Sequence, residues 1–402
     1  MKSIQPRSGP SRGYLLVMAV SLSISGSVDA LAAEQDPDVA RILAIEPEGS
    51  GNEEASAAWK ALVGKGTAAL PEIVRSISDA SPLASNWLRS AADAILDQAL
   101  ENKEEIEVAD LGDILMDTSL GDRSRRLAFE MIGRVDPKSK EALIPGLLND
   151  PSADLRYPAV AKLIKQAEAI ESKEAALIYR QALGAARDIE QVNQIKEALK
   201  ELGREVDLQR HFGFVSNWKV VGPFDNTDRE GFAAVYGPEE GVDLSASYKG
   251  KSGDVTWSDY QTADPYGMVD INKAYDMLKE TVAYAYTEFE SEVARPVEIR
   301  LGCKNAWKIW VNGELLFARD EYHRGIKIDQ YRVLAQLKPG LNSILVKVCQ
   351  NEQTETWTVQ WGFQLRVCDS TGTAILAENR PPTPEKSTGD QDPRRRPKKD
   401  SE

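Results

Sequence analysis

The sequence predicts a multidomain α plus β chain: an all-helical part followed by an antiparallel β-sandwich. Three observations predict it. Apolar residues keep helical spacing from residue 36 to about 205. From Trp218 onward they alternate with polar residues, the period of half-buried strands. The turn residues change at the same place, from Asp-Pro and Ser-Pro stops to Asn-Gly and Pro-Gly hairpins.

In the helical part, Leu88, Ala91, Ala92, Ile95 and Leu96 fall on one face. So do Leu143, Ile144, Leu147 and Leu148; Val160, Leu163, Ile164 and Ala167; and Val192, Ile195, Leu199 and Leu202. Turn signals at Asp79 to Pro82, Gly121-Asp122, Asp136-Pro137 and Asp150-Pro151 stop one helix and cap the next. The segment ALPEIVRSISDASPLASNWLRSAADAIL at 69–96 parallels ALIPGLLNDPSADLRYPAVAKLI at 142–164, each with an early Pro, an Asp-containing turn and a helix carrying Arg89 or Arg156. The stretch around Arg126 and Ala128 is a partial third copy. This pattern resembles HEAT-type repeats, which implies a solenoid of paired helices offering a face to a protein partner. A generic helical bundle is the alternative. The acidic run from Glu101 to Asp117 reads as a solvated face.

In the second part, WKVVGPFDN at 218–226 and TVAYAYTEF at 281–289 read as strands. Val297, Ile299 and Leu301 alternate with polar neighbours, and Trp307, Ile309 and Val311 continue the pattern to an Asn312-Gly313 hairpin. Leu315 and Phe317 set the apolar face of the return strand. Pro339-Gly340 makes a further turn, and Ile344, Val346 and Val348 form another apolar face. In TWTVQWGFQLRV, Trp357, Val359, Trp361, Phe363, Leu365 and Val367 alternate as one core stripe. The KIWVNG hairpin and the LKPGLNSILVKV pair resemble the galactose-binding-like jelly roll, in particular the sugar-binding domain of family 2 glycoside hydrolases. The resemblance spans about residues 211–377. It implies a module that binds carbohydrate or serves as a spacer, and it carries no catalytic residue, because the hydrolases' barrel is absent.

The ends and composition bound the setting. Lys2, Arg7 and Arg12 precede a mostly apolar stretch from Tyr14 to Val28, and Ala30-Leu31-Ala32 is a small-x-small cleavage site. These predict a signal peptide over 1–32 and an exported chain, periplasmic or extracellular, with no membrane span once it is cleaved. Domains are expected at 33–210 (helical repeats) and 211–377 (sandwich), with a disordered polar, proline-rich tail at 378–402. The net charge of −14 argues against nucleic acid as a partner. Two His residues, His211 and His323, lie far apart, which excludes most zinc spacings and His-based catalytic sets. Three cysteines are too few for a disulfide framework; Cys349 and Cys368 are candidates to pair, and buried thiols are the plainer reading.

Candidate sites follow. Trp310 and Lys308 alternate out of the core stripe, so they are expected on the outer side of a sheet, where an exposed indole stacks on sugar; the plainer reading packs Trp310 beneath another strand or loop, as outer-face aromatics are commonly covered. Tyr322, His323 and Arg324 form a loop offering a ring, an imidazole and a five-donor fork. Asn226, Asp228 and Glu230 at alternating spacing are candidate calcium ligands, although Gly237 stands where a closing Glu is needed for an EF-type loop. No other cofactor is expected. The resulting expectation is an exported binding or adaptor protein that is not an enzyme. The alternatives are a polysaccharide-acting hydrolase with unrecognised carboxylates, or a structural envelope spacer.

Overall fold

The structure is a computed structural model that describes residues 35–47, 50–170 and 173–383. The leader over 1–32 and the tail beyond residue 383 lie outside the described residues. The chain has an N-terminal helical region and a C-terminal region of antiparallel sheets.

The helices are α1 (Pro37–Leu43), α2 (Asn52–Lys65), α3 (Leu70–Ser76), α4 (Pro82–Asn102), α5 (Val108–Met116), α6 (Asp122–Val135), α7 (Pro137–Leu143), α8 (Ala153–Glu168), α9 (Lys173–Ala185), α10 (Ile189–Glu201) and α11 (Leu208–Phe212). Their starts follow capping chemistry. Ser81 Oγ accepts from Ala84 N ahead of Pro82, and Asp136 from Lys138 N ahead of Pro137. Leu88, Ala91, Ala92, Ile95 and Leu96 are all buried on α4, as the spacing predicts. Asp150 does more than punctuate. It lies buried against Arg125, whose Nη1 donates to Asp150 Oδ1 at 2.9 Å and whose Nε donates to Leu115 O at 2.9 Å.

The strands are β1 (Asn217–Asp225), β2 (Ser247–Gly250), β3 (Gly253–Thr256), β4 (Ser258–Gln261), β5 (Val269–Asp270), β6 (Thr281–Ser291), β7 (Arg295–Cys303), β8 (Ala306–Val311), β9 (Glu314–Arg319), β10 (Tyr331–Leu337), β11 (Gly340–Gln350) and β12 (Gly362–Cys368). One sheet has the order β4-β1-β6-β11-β8-β9, the other β10-β7-β12-β5, and β2 pairs with β3 as a separate hairpin. Val220, Ala285, Trp307, Ile309 and Val346 of the first sheet share one core with Ile299, Leu301, Phe363, Leu365 and Val367 of the second. The predicted strand alternation is the reason: each strand sends every second residue, the apolar set, to one face.

Three details differ from expectation. The β8–β9 register slips between Ile309 and Trp310, so Phe317 pairs with Ile309 while Leu315 pairs with Trp310 and is left exposed. Cys349 lies in the first sheet and Cys368 in the second; all three cysteines are buried and free. Residues 378–383, placed in the tail by composition, are anchored: Asn379 Nδ2 donates to Glu288 O at 3.1 Å and Arg380 Nη1 to Phe214 O at 2.6 Å.

The helical region docks on the outer face of the second sheet. Arg300 and Arg366 are register partners there, on the face opposite the core. Asp329 accepts from Arg366 Nε at 2.6 Å and Arg300 Nη1 at 2.8 Å. Burial pushes the Asp329 carboxyl up, but the Arg366 and Arg300 guanidiniums outweigh it and hold it below the usual carboxylate range. Arg366 Nη1 reaches across to Phe212 O at 3.0 Å, and Gln209 Nε2 donates to Thr262 O at 2.9 Å. Tyr266 Oη donates to Asn193 Oδ1 at 2.6 Å. His211 sits in the same junction, and its imidazole is lowered to about 4, first by burial and then by the nearby Arg187 charge.

Two outcomes are expected. Asp329→Ala leaves two buried guanidiniums without their anion and costs about 3–5 kcal/mol in urea denaturation; a loss under about 1 kcal/mol contradicts the network's role. His211 takes up its proton more readily when unfolded, so stability is full above pH 6.5 and falls as pH drops toward about 4. The loss is on the order of 3 kcal/mol. His211→Asn flattens that limb, and an unchanged acid limb in this variant refutes the assignment.

Candidate functional site

The outer face of the first sheet is covered by the segment between β1 and β4. Val221, Phe224, Tyr284, Trp310 and Leu345 form a second apolar layer there, with Tyr236, Tyr248 and Trp257 packed over it. A buried lysine fixes the cover. Lys347, fully buried on β11, donates to Ala234 O at 2.6 Å and to Glu239 Oε1 at 2.7 Å. The Tyr236 and Tyr284 rings lie 5.3 and 5.6 Å from its ammonium. Burial lowers its affinity for the proton, and the Glu239 carboxylate opposes that.

This cover decides the fate of the first candidate pair. Trp310 is 8 % exposed and packed under the covering segment, the plainer of its two readings, and the sugar-stacking alternative loses its exposed indole. Outer-face position did not mean solvent, because this sheet is covered on both sides. Lys308 is half-buried, its ammonium 4.7 Å from the Phe232 ring centroid.

The indole that is exposed is Trp357, at 54 %. The reading that put it in the core stripe fails because the strand begins only at Gly362, and Thr356–Thr358 form a 3₁₀ turn. At Gly362 the backbone O of Val269 lies 2.3 Å from where a Cβ stands, so the chain enters the sheet at a position only glycine fits. Trp361, Phe363, Leu365 and Val367 keep the predicted core positions.

Trp357 stands at the end of the sandwich where three loops meet, and two of the predicted loops are among them. The His323 ring lies edge-on to Trp357, centroids 5.4 Å apart. His323 has φ +58°, and its Nε2 is 2.8 Å from Asn351 Oδ1. Burial lowers the imidazole, with the Asn351 bond opposing. Tyr322 Oη accepts from Asn226 Nδ2 at 3.1 Å, and burial raises its phenol. Arg229 stacks over the Tyr322 ring at 5.4 Å and forks onto Glu352, its Nε donating to Oε2 at 3.1 Å. Arg324 is largely exposed and pairs with Glu321 at 2.7 Å. Lys304 Nζ lies 3.3 Å from Gln360 Oε1. The geometry therefore joins Tyr322, His323 and Asn226, leaves Arg324 at the rim, and separates Trp310 and Lys308 from them. Trp357, Arg229, Glu352 and Asn351 were not picked out in sequence. The polar run NEQTET before Trp357, which does not alternate, was the available signal.

The calcium candidates do not converge. Asn226 is fully buried, its Nδ2 donating to Tyr322 Oη and Gln350 O and its Oδ1 without a hydrogen-bond partner among the described residues, while Asp228 and Glu230 are exposed on a 3₁₀ turn. Among the described residues no three His, Cys, Asp or Glu side chains are grouped to hold a metal. No described helix is long and apolar enough to cross a membrane.

No family model matches the chain, and no curated protein matches it. Solved structures similar to it include an FMN-binding beta-glucuronidase from Facaelibacterium prausnitzii L2-6, at 13% identity and a TM-score of 0.23, covering 39% of this chain and 22% of that one. A GH31 alpha-xylosidase from Xanthomonas citri shows 10% identity and a TM-score of 0.22, over 38% of this chain and 15% of that one. A Beta-glucosidase from Kluyveromyces marxianus in complex with glucose shows 11% identity and a TM-score of 0.25, over 77% of this chain and 38% of that one. The chain thus spans well under half the length of each. All three are named as glycosidases, so the expectation that this chain is not an enzyme is withdrawn. At these TM-scores the likeness assigns it no activity.

The two tryptophans give a direct check in urea denaturation. Trp310→Ala is expected to cost about 3–5 kcal/mol, the range for emptying a buried aromatic site. Trp357→Ala is expected to stay within about 1 kcal/mol. The reverse order of costs contradicts the burial described here.

Proposed function

We propose that this is an exported carbohydrate-binding protein that takes sugar at the Trp357 end of its sheets. The observation that carries the reading is the exposed Trp357 indole set against His323, with Arg229, Glu352, Lys304 and Arg324 around it. A pyranose ring offers one C–H face and a rim of hydroxyls, and this end offers an aromatic face and a rim of donors and acceptors. The two sheets are read as a galactose-binding-like jelly roll. The helices are read as HEAT-like repeats that present a surface to a protein partner, with the leader directing the chain to the periplasm or outside.

A second reading rests on the same loops. Glu352 and Glu355 both precede the exposed indole within five residues, which brings two carboxylates to the same loop. Turnover is therefore measured with binding.

The test is a glycan array probed with the mature protein, followed by titration calorimetry on any glycan retained. Binding at least tenfold weaker in Trp357→Ala, with Trp357→Phe close to wild type, is the expected result. An array without signal removes the proposal, as does binding indifferent to Trp357. Release of free sugar from the retained glycan, lost in Glu352→Gln or Glu355→Gln, would assign hydrolysis to the site.

A further inference from the structure

A groove of about 390 Å³ opens where the last helices hand the chain to the sheets. Arg180 on α9, Arg204 just after α10 and Arg210 on α11 line it. Each of these side chains is exposed, and none forms an ion pair or side-chain hydrogen bond with any described residue. Elsewhere among the described residues Arg89, Arg126 and Arg134 fork onto acids, while Arg123 and Arg332 stand exposed and unpaired one at a time; here three such arginines share one groove. Two acids also line the groove. Asp207 is committed: its Oδ1 accepts from Arg210 N at 2.9 Å and its Oδ2 from Thr383 Oγ1 at 2.5 Å. Glu205 is exposed, so three guanidiniums face two carboxylates and the groove keeps one positive charge in excess.

The floor is apolar, built from Leu183, Leu199 and Val206. His211 lines the same groove, and its Nε2 is buried without a partner. Three like charges brought to one concavity repel each other unless an anion joins them. A guanidinium fork matches a carboxylate or sulfate group, and the floor suits one apolar face on the body carrying it.

We propose that this groove is a binding site for a compact organic oxyanion, a carboxylate or sulfate borne on a body with one apolar face. A uronic acid sugar and a short aliphatic acid share that chemistry. Titration calorimetry at fixed ionic strength separates them, using sodium glucuronate, sodium hexanoate and sodium sulfate, with glucose as the uncharged control. Saturable binding of glucuronate assigns the sugar source, and of hexanoate the aliphatic one. Sulfate competes with either. The triple variant Arg180→Ser, Arg204→Ser, Arg210→Ser is expected to bind at least tenfold more weakly while melting at the wild-type temperature, since none of the three has a partner to lose. Trp357→Ala leaves this binding unchanged, which separates the site from the sugar site proposed above. No saturable binding of any of the three anions overturns the proposal. So does binding unaffected by the triple variant, or glucose binding as tightly as glucuronate.

Discussion

Arg366 is the side chain on which the rest of the molecule depends. It is 2 % exposed, yet it carries a full charge between two bodies of different secondary structure. One side of its guanidinium is taken by Asp329, and another nitrogen reaches Phe212 O on the last helix and Gly372 O beyond the last strand. A buried cation is tolerated only when every donor is met, so the helix end, the 326–330 loop and the turn after β12 must all arrive together. Gly213 then has no freedom: an added Cβ would lie 2.7 Å from Val367 O. The helices are thereby fixed against the outer face of the second sheet.

The first sheet is closed by the same logic from the other side. Lys347 stands in the middle of β11 on the face away from the core, where a lysine ordinarily meets water. Here it holds Phe232 O, Ala234 O and Glu239, and an aromatic layer of Phe224, Tyr236, Tyr248 and Trp257 packs around it. Each sheet thus has its inner face in the shared core and much of its outer face covered, one by helices and one by the 226–257 segment. Edge strand β10 keeps its outer face in solvent, and the loops at the strand ends are open as well. Tyr322, His323 and Trp357 lie there, and an indole on such a rim stays exposed without weakening a core.

The strands and helices were legible because periodicity is local and the core simply sums it. Ile299, Trp307, Val346 and Phe363 took the faces their alternation required. What periodicity cannot report is what lies on the far side of a sheet. Trp310 was read outward correctly, but alternation alone could not decide between cover and solvent, since its cover comes from residues about 50–90 positions earlier in the chain. Trp357 failed in the opposite sense. Its alternation with Val359 and Trp361 continued a real strand pattern past the point where the backbone enters the sheet. The grouping of Asn226 with Tyr322 and of His323 with Asn351 was also invisible, because those bonds join segments that only the closed sandwich brings together.

The calcium pattern shows why spacing alone misleads in a loop. Alternating acids make a site only if the backbone turns all their oxygens to one point. In this loop Asp228 and Arg229 have φ of +54° and +66°, which turns the chain sharply after Asn226. Asn226 is drawn inward to Tyr322 and Gln350, and the residues after it are left facing solvent. The same bend sends Arg229 over the Tyr322 ring and onto Glu352. The asparagine that looked like a ligand is therefore a brace. It ties the 226–232 turn to the 321–325 loop and so shapes the rim on which Trp357 stands.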